Sequence, residues 1–93
     1  MKKRKIKDVF TILNDKGLHT RPATELVRCA SSFKSAITLN YQDLVVSAKS
    51  MLGILMLAAA RGAKIRIEAE GDDAEAAVRA ILALAKDRFN ISY

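Results

Sequence analysis

Ninety-three residues make one domain and are too few for two independent cores. Hydrophobic residues make up 51% of the chain and charged residues 28%, which excludes disorder. With no Trp and few aromatics, the core has to be built mainly from Ile, Leu, Val, Ala and Met. The net charge of +6 is concentrated at one end, because Lys2, Lys3, Arg4, Lys5 and Lys7 all precede the first acidic residue, Asp8.

Residues 1–5 read as a basic extension of a single 1–93 domain. Basic tails can bind nucleic acid or an anionic membrane, but no aromatic residues are interleaved with these charges. A solvated terminus is the preferred reading, and no specific nucleic acid partner is expected. The same start has the charge of a signal-peptide basic region, yet Lys7 and Asp8 interrupt it before any long apolar run. The longest apolar run, Ile54–Ala60, is too short to cross a bilayer, so a cytoplasmic protein without membrane insertion is expected. Cys29, the single cysteine, excludes an internal disulfide and a cysteine-built metal cage.

In chain order, Ile6–Leu13 carries Phe10 and Ile12 two apart among mostly polar neighbours and predicts a strand. Asn14-Asp15-Lys16-Gly17 predicts a turn in which Gly17 can take a positive φ. Pro22 suits a helix's first turn, and Ala23, Leu26, Val27 and Ala30 continue at helical spacing to about Ser31-Ser32. Cys29 falls in that helix as a small packing residue. Ser35–Tyr41 and Leu44–Ala48 predict two strands of a hairpin turning at Gln42-Asp43, although the turn has no glycine. Ser50 is a good N-cap for a short apolar helix, with Arg61-Gly62 as its stop.

Lys64–Glu70 alternates charged and apolar residues and predicts a strand with one buried face, ended by Gly71. Asp72 with Glu75 resembles a capping box for a last helix reaching about Arg88, its apolar stripe being Ala74, Ala77, Val78, Ile81, Leu82 and Ala85. The order β-α-β-β-α-β-α is most simply accommodated by one four-stranded sheet with helices on one face and the other face open, an α+β fold.

His19 is the single histidine. A lone histidine is usually an ordinary packing or surface residue, but Gly17-Leu18-His19-Thr20-Arg21-Pro22-Ala23 places this one in the loop just before a helix. The first N–H groups of that helix and the positive end of its dipole suit an anion. Arg21 adds a planar donor fork for phosphate oxygens. A neutral imidazole can attack a phosphoryl donor and pass the group on, so the segment is suited to a transient phosphohistidine. No second histidine or nearby cysteine supports a zinc site. A P-loop, a dinucleotide fingerprint and a serine triad are all missing from the sequence. In Ala48–Leu57, Ser50 is first of all a helix cap, yet Met51, Leu52, Ile54 and Leu55 are too many apolar residues for so short a helix to bury. An exposed remainder implies a docking surface. Phosphate on Ser50 would suit the helix dipole and place charge beside that surface.

Gly17–Ala23, Ala48–Ile54 and Ala60-Arg61-Gly62-Ala63 together closely resemble the histidine-containing phosphocarrier (HPr) family of the bacterial phosphotransferase system, from about Lys7 to Arg88. The resemblance implies an open-faced β-sandwich, a four-stranded antiparallel sheet with three helices on one face. It implies a phosphoryl carrier that is not an enzyme, needs no cofactor or metal, and is a monomer. His19 would accept phosphate on Nδ1 from enzyme I, which takes it from phosphoenolpyruvate, and would donate it to IIA domains of sugar permeases with help from Arg21. Ser50 matches the regulatory serine that the HPr kinase/phosphorylase modifies. Met51, Leu52 and Leu55 fall in the docking patch, with Thr20 beside His19 and with Arg28 and Lys49 on the charged rim. Residues 2–5 lie outside the family's usual pattern. Leu55–Ala60 is also similar to the nitrogen-branch (NPr) relay, which regulates and does not drive sugar uptake. From a different class comes a Ser50-controlled regulatory binding module in which His19 is idle.

Overall fold

The computed structural model describes residues 4–92. Its elements are β1 (Lys5–Thr11), α1 (Thr20–Ser31), β2 (Ala36–Tyr41), β3 (Leu44–Ser47), α2 (Met51–Met56), β4 (Lys64–Glu70) and α3 (Ala74–Lys86). A short closing turn follows at Arg88–Asn90. The strands form one sheet in the order β1-β4-β2-β3, with every neighbouring pair antiparallel.

Alternation decides which side of the sheet is buried. Ile65, Ile67 and Ala69 of β4 pair with Phe10, Asp8 and Ile6 of β1, and Ile67 and Ala69 pair with Leu39 and Ile37 of β2. These residues share the helix-facing side, Asp8 at its exposed margin, and the buried apolar faces of α1 (Ala23, Leu26, Ala30) and α3 (Ala74, Ala77, Val78, Ile81, Ala85) close over the apolar ones. Lys5, Lys7, Val9, Lys64, Arg66, Thr38 and Asn40 project from the opposite, open face, as the single-faced alternation of β4 predicts.

Several local expectations are corrected. Lys5, placed in the basic extension by sequence, opens β1 and lies 3.6 Å from Glu68, while Arg4 lies 3.1 Å from Glu75. Residues 1–3 of that extension lie outside the described residues. The short helix does not run to Arg61-Gly62. It ends at Met56, and Ala58 takes φ +49 before an extended run whose Ala59 carbonyl accepts the Leu18 N–H at 2.9 Å. Ala58–Ala60 would favour helix in isolation, but the β1–α1 loop needs an acceptor here. Arg61-Gly62 forms the turn into β4, with Gly62 at φ +91.

Asp73, not Asp72, stands at the start of α3, and its carboxylate makes no helix cap. It accepts the backbone N–H groups of Lys34 (2.8 Å) and Ser35 (2.9 Å) and the Ser35 hydroxyl, tying the α1–β2 loop to the head of α3. These hydrogen bonds, the Ser35 hydroxyl foremost, hold the Asp73 carboxyl below its ordinary value. Gln42 supplies the left-handed residue (φ +55) that the glycine-free hairpin turn requires.

The core is built mainly from Ile, Leu, Val and Ala, as expected, with one aromatic pair inside it. Phe10 and Phe89 are buried against one another, edge to face, with ring centroids 6.2 Å apart. Among the methionines, Met51 is half-buried and Met56 is exposed. Phe89 reaches the core because Arg88, Phe89 and Asn90 are all left-handed, at φ +54, +55 and +63, so the chain doubles back after α3.

Candidate functional site

The β1–α1 loop is anchored at both ends before it presents His19. Asn14, fully buried, donates its Nδ2 to the Arg88 carbonyl at 2.9 Å, and its own carbonyl accepts the Gly17 N–H at 2.9 Å. Gly17 (φ +74) passes so close to the neighbouring segment that an added Cβ would stand 2.5 Å from the Ala59 oxygen. Leu18 is buried and bonded to that same oxygen. On the outside, Arg61 pairs with Asp15 at 3.0 Å. The next residue is therefore delivered to one place with little freedom.

That residue, His19, is the N-cap of α1. Its backbone is extended (φ −90, ψ −164), its carbonyl accepts the Ala23 N–H at 2.9 Å, and its side chain makes no capping bond. A Ser or Asp here would turn its side chain back onto the helix. The imidazole instead lies at the helix mouth, half-exposed as a whole with its Nε2 atom buried. With Lys16, Leu18, Leu55 and Ala58–Ala60 it lines a shallow depression of about 350 Å³. The first turn of α1 has no acidic residue, Arg21 is exposed within it, and Pro22 is buried and has no N–H to satisfy. A helix N-terminus of this kind favours an anion by about 0.3–1 kcal/mol when exposed and up to roughly 2 kcal/mol in a partly buried setting.

Around this point α1 and α2 form one continuous surface. The Thr24 hydroxyl donates to the Thr20 carbonyl at 2.8 Å and lies 4.0 Å from the Met51 sulfur, which joins the two helices beside the exposed Thr20. Leu52 is 71% exposed and Leu55 38%, whereas Ile54 is fully buried. Met51, Leu52 and Leu55 thus share one apolar face, and Leu55 reaches the depression beside His19. Met56, 57% exposed, extends the same patch. The uninterrupted apolar run contained that signal, but only the short length of α2 shows which members remain outside. Arg28 is exposed and lies 3.7 Å from Glu25. Lys49 does not stand on an open rim, because its Nζ donates to the Phe33 carbonyl at 2.8 Å.

Ser50 caps α2 as its residue type predicts, its Oγ accepting the Gly53 N–H at 3.0 Å. Gly53 has a reason of its own, since an added Cβ would stand 3.0 Å from the Val46 Cβ and 3.2 Å from the Ser50 Oγ. Cys29 is half-buried, and burial pushes its thiol up, away from the reactive thiolate. Among the described residues no group of three or more His, Cys, Asp or Glu could hold a metal ion, and no helix is long and apolar enough to cross a membrane. Asn14 went unread as a site residue, because an Asn in an Asn-Asp-Lys-Gly turn signals only the turn.

Comparison with known proteins agrees with this geometry. Residues 6–87 match the family described as PTS HPr component phosphorylation site. A phosphocarrier protein HPr of Xylella fastidiosa (strain Temecula1) is 40% identical over 81 residues, covering 87% of this chain and 91% of that protein. A crystal structure of HPr from Thermoanaerobacter tengcongensis superposes with a TM-score of 0.89 at 36% identity, over 95% of this chain and 99% of that one. HPr from Bacillus anthracis gives a TM-score of 0.81 at 35% identity, over 85% and 94%. The open-faced sheet, the helix-capping histidine loop and these matches make the chain a member of the HPr family, the phosphocarriers of the phosphotransferase system.

Proposed function

We propose that the protein carries a phosphoryl group on His19 Nδ1, received from enzyme I and passed to IIA-type domains of sugar permeases. The observation that carries the reading is the placement of His19: the N-cap of α1, its imidazole at the helix mouth with Nε2 buried, and Arg21 exposed in the first turn beside it. In the neutral tautomer with the proton on Nε2, the Nδ1 lone pair attacks the phosphorus of phosphorylated enzyme I. The enzyme's own P–N bond breaks, and that nitrogen keeps the electron pair. Donation to a IIA histidine is the same exchange with this protein as the leaving group.

The first N–H groups of α1 and the Arg21 guanidinium stabilise the charge that the phosphoryl oxygens carry through each transfer. Stabilisation has to remain modest, since a phosphate held too firmly is not passed on. The apolar face of Met51, Leu52 and Leu55, with Thr20 and Arg28 beside it, is the docking surface for both partners in turn. A small patch suits encounters that must also end quickly. Lys49 holds the Phe33 carbonyl just past the end of α1, so its part in that surface is indirect. The relay works in the cytoplasm as a monomer, with no cofactor.

Ser50 is a second control point. Its Oγ serves as acceptor for the Gly53 N–H, so phosphorylation by an HPr kinase/phosphorylase would add charge at the head of α2 without removing the cap. The added charge would stand between Met51 and Leu52 and an incoming partner. The sequence Leu55–Ala60 favours one other reading, a nitrogen-branch relay with the same chemistry and a regulatory acceptor.

The test is incubation with phosphoenolpyruvate and enzyme I, followed by intact mass before and after mild acid. One acid-labile phosphate is expected, absent from His19→Ala while that variant keeps its circular dichroism spectrum. A phosphorylated His19→Ala protein, or an acid-stable product, would contradict the assignment.

A further inference from the structure

Strand β1 is an edge of the sheet, and its edge is occupied by its own side chain. Ile12 donates to the Ala63 carbonyl at 2.9 Å, and the Arg4 carbonyl accepts the Gly71 N–H at 2.9 Å, so the even-numbered residues turn their backbone groups toward β4. By alternation, the N–H and C=O groups of Lys5, Lys7, Val9, Thr11 and Leu13 face outward. The middle donor of this row, Val9 N–H, is taken by the Asp8 carboxylate at 2.7 Å. Asp8 itself stands on the helix-facing side of β1, where its neighbours Ile6, Phe10 and Ile12 are apolar, yet it is exposed. Beside it, Val9 (46% exposed), Leu13 (36%), Leu82, Ala83 and Lys86 line an apolar groove of about 440 Å³ between β1 and α3.

We infer that this edge fits a second copy of the same chain and that Asp8 keeps it closed. An antiparallel pairing about a two-fold axis at Val9 is self-complementary. It sets Val9 against Val9, Lys7 against Thr11 and Lys5 against Leu13, with no like charges opposed. On the helix side the same register sets Ile6 against Ile12 and Asp8 against Phe10. The two grooves would merge into one largely apolar seam, with the two Asp8 carboxylates between its flanks and Lys86 at its margin. Pairing therefore asks Asp8 to release the Val9 N–H and then to be buried, charged, between two apolar flanks. Inward charges and edge lysines are known devices against edge-to-edge association, and Asp8, Lys5 and Lys7 combine both.

Asp8→Val tests this by removing the charge and the competing acceptor together. Sedimentation velocity should give the wild type the mass of one 10.2 kDa chain and the variant twice that mass, with a dimer dissociation constant about a hundredfold lower or more. Adding Val9→Lys, which opposes two charges at the two-fold axis, should return the variant to monomer. In the dimer the Val9 amide should become protected from exchange. Asp8→Thr, uncharged and suited to a strand, repeats the test if Asp8→Val folds poorly. A wild type that dimerises through β1, an Asp8→Val protein still monomeric at about 1 mM, or a dimer indifferent to Val9→Lys would each overturn the inference.

Discussion

Replacing Phe89 isolates what the C-terminal turn contributes. The side chain is completely buried, packs edge to face on Phe10 at 6.2 Å, and belongs to a turn whose carbonyl at Arg88 holds Asn14. Phe→Ala in a core removes the transfer free energy of the ring and leaves a cavity, together about 3–5 kcal/mol. Part of that, about 0.5–1.5 kcal/mol, is the aromatic pair itself. A domain of this size has roughly 5–15 kcal/mol in total, so Phe89→Ala should remove a large fraction of its stability. At 4–8 °C per kcal/mol the melting temperature should fall by roughly 12–40 °C.

A second variant separates packing from backbone. Phe89 sits at φ +55, where a Cβ costs about 1–2 kcal/mol and glycine nothing. Phe89→Gly should therefore be more stable than Phe89→Ala by about 1 kcal/mol, the reverse of the usual order in regular structure. Urea unfolding followed by circular dichroism reads both. A Phe89→Ala loss below about 1 kcal/mol would refute the packing argument. Phe89→Ala more stable than Phe89→Gly would refute the left-handed turn.

Three further outcomes are expected. Arg21→Ala should slow phosphoryl transfer from enzyme I by about tenfold or more while leaving the melting temperature nearly unchanged, as an exposed charge-assisting donor would; stopped-flow transfer and thermal melts measure the two. Ser50→Ala should cost about 0.5–2 kcal/mol through the lost cap on Gly53, whereas Ser50→Asp should keep most of that stability and weaken binding of enzyme I in titration calorimetry. Asp73 has its folded pKa below the unfolded value of 3.8, so its stabilising contribution is complete above that value and is lost as pH falls through the folded pKa. Chemical unfolding between pH 2 and 6 should then show Asp73→Asn less stable than wild type at pH 6, with the difference shrinking on acidification; a constant difference would contradict it.

β1, β2, β4 and the two longer helices were legible because each has one buried face, so period and burial coincide, whereas β3, largely exposed, was legible from its β-prone residues across the Gln42-Asp43 turn. Lys64–Glu70 agrees with its expected span residue for residue. Boundaries failed where a tertiary partner outbid the local signal. Asp72 and Asp73 are chemically alike as caps, and nothing local reveals that the second faces Ser35 and Lys34 across the fold. Ala58–Ala60 leaves the helix to run along Gly17 and Leu18. Phe89 stands in phase with the last apolar stripe, four residues after Ala85, but α3 ends at Lys86 and three consecutive left-handed residues, not a continued helix, place it in the core. For the candidate site, the placement of His19 and Arg21 at the head of α1 and of Ser50 as the cap of α2 was readable from residue type and position. Asn14 was not, since its partner lies 74 residues away.

The central claim is tested most directly by nitrogen-15 and phosphorus-31 NMR of the phosphorylated protein with its histidine isotopically labelled. A single phosphoramidate bonded to Nδ1 of His19, lost on addition of an unphosphorylated IIA domain, is the predicted result. Phosphate on Nε2, or a phosphate at any other residue that persists in the presence of the acceptor, would contradict it.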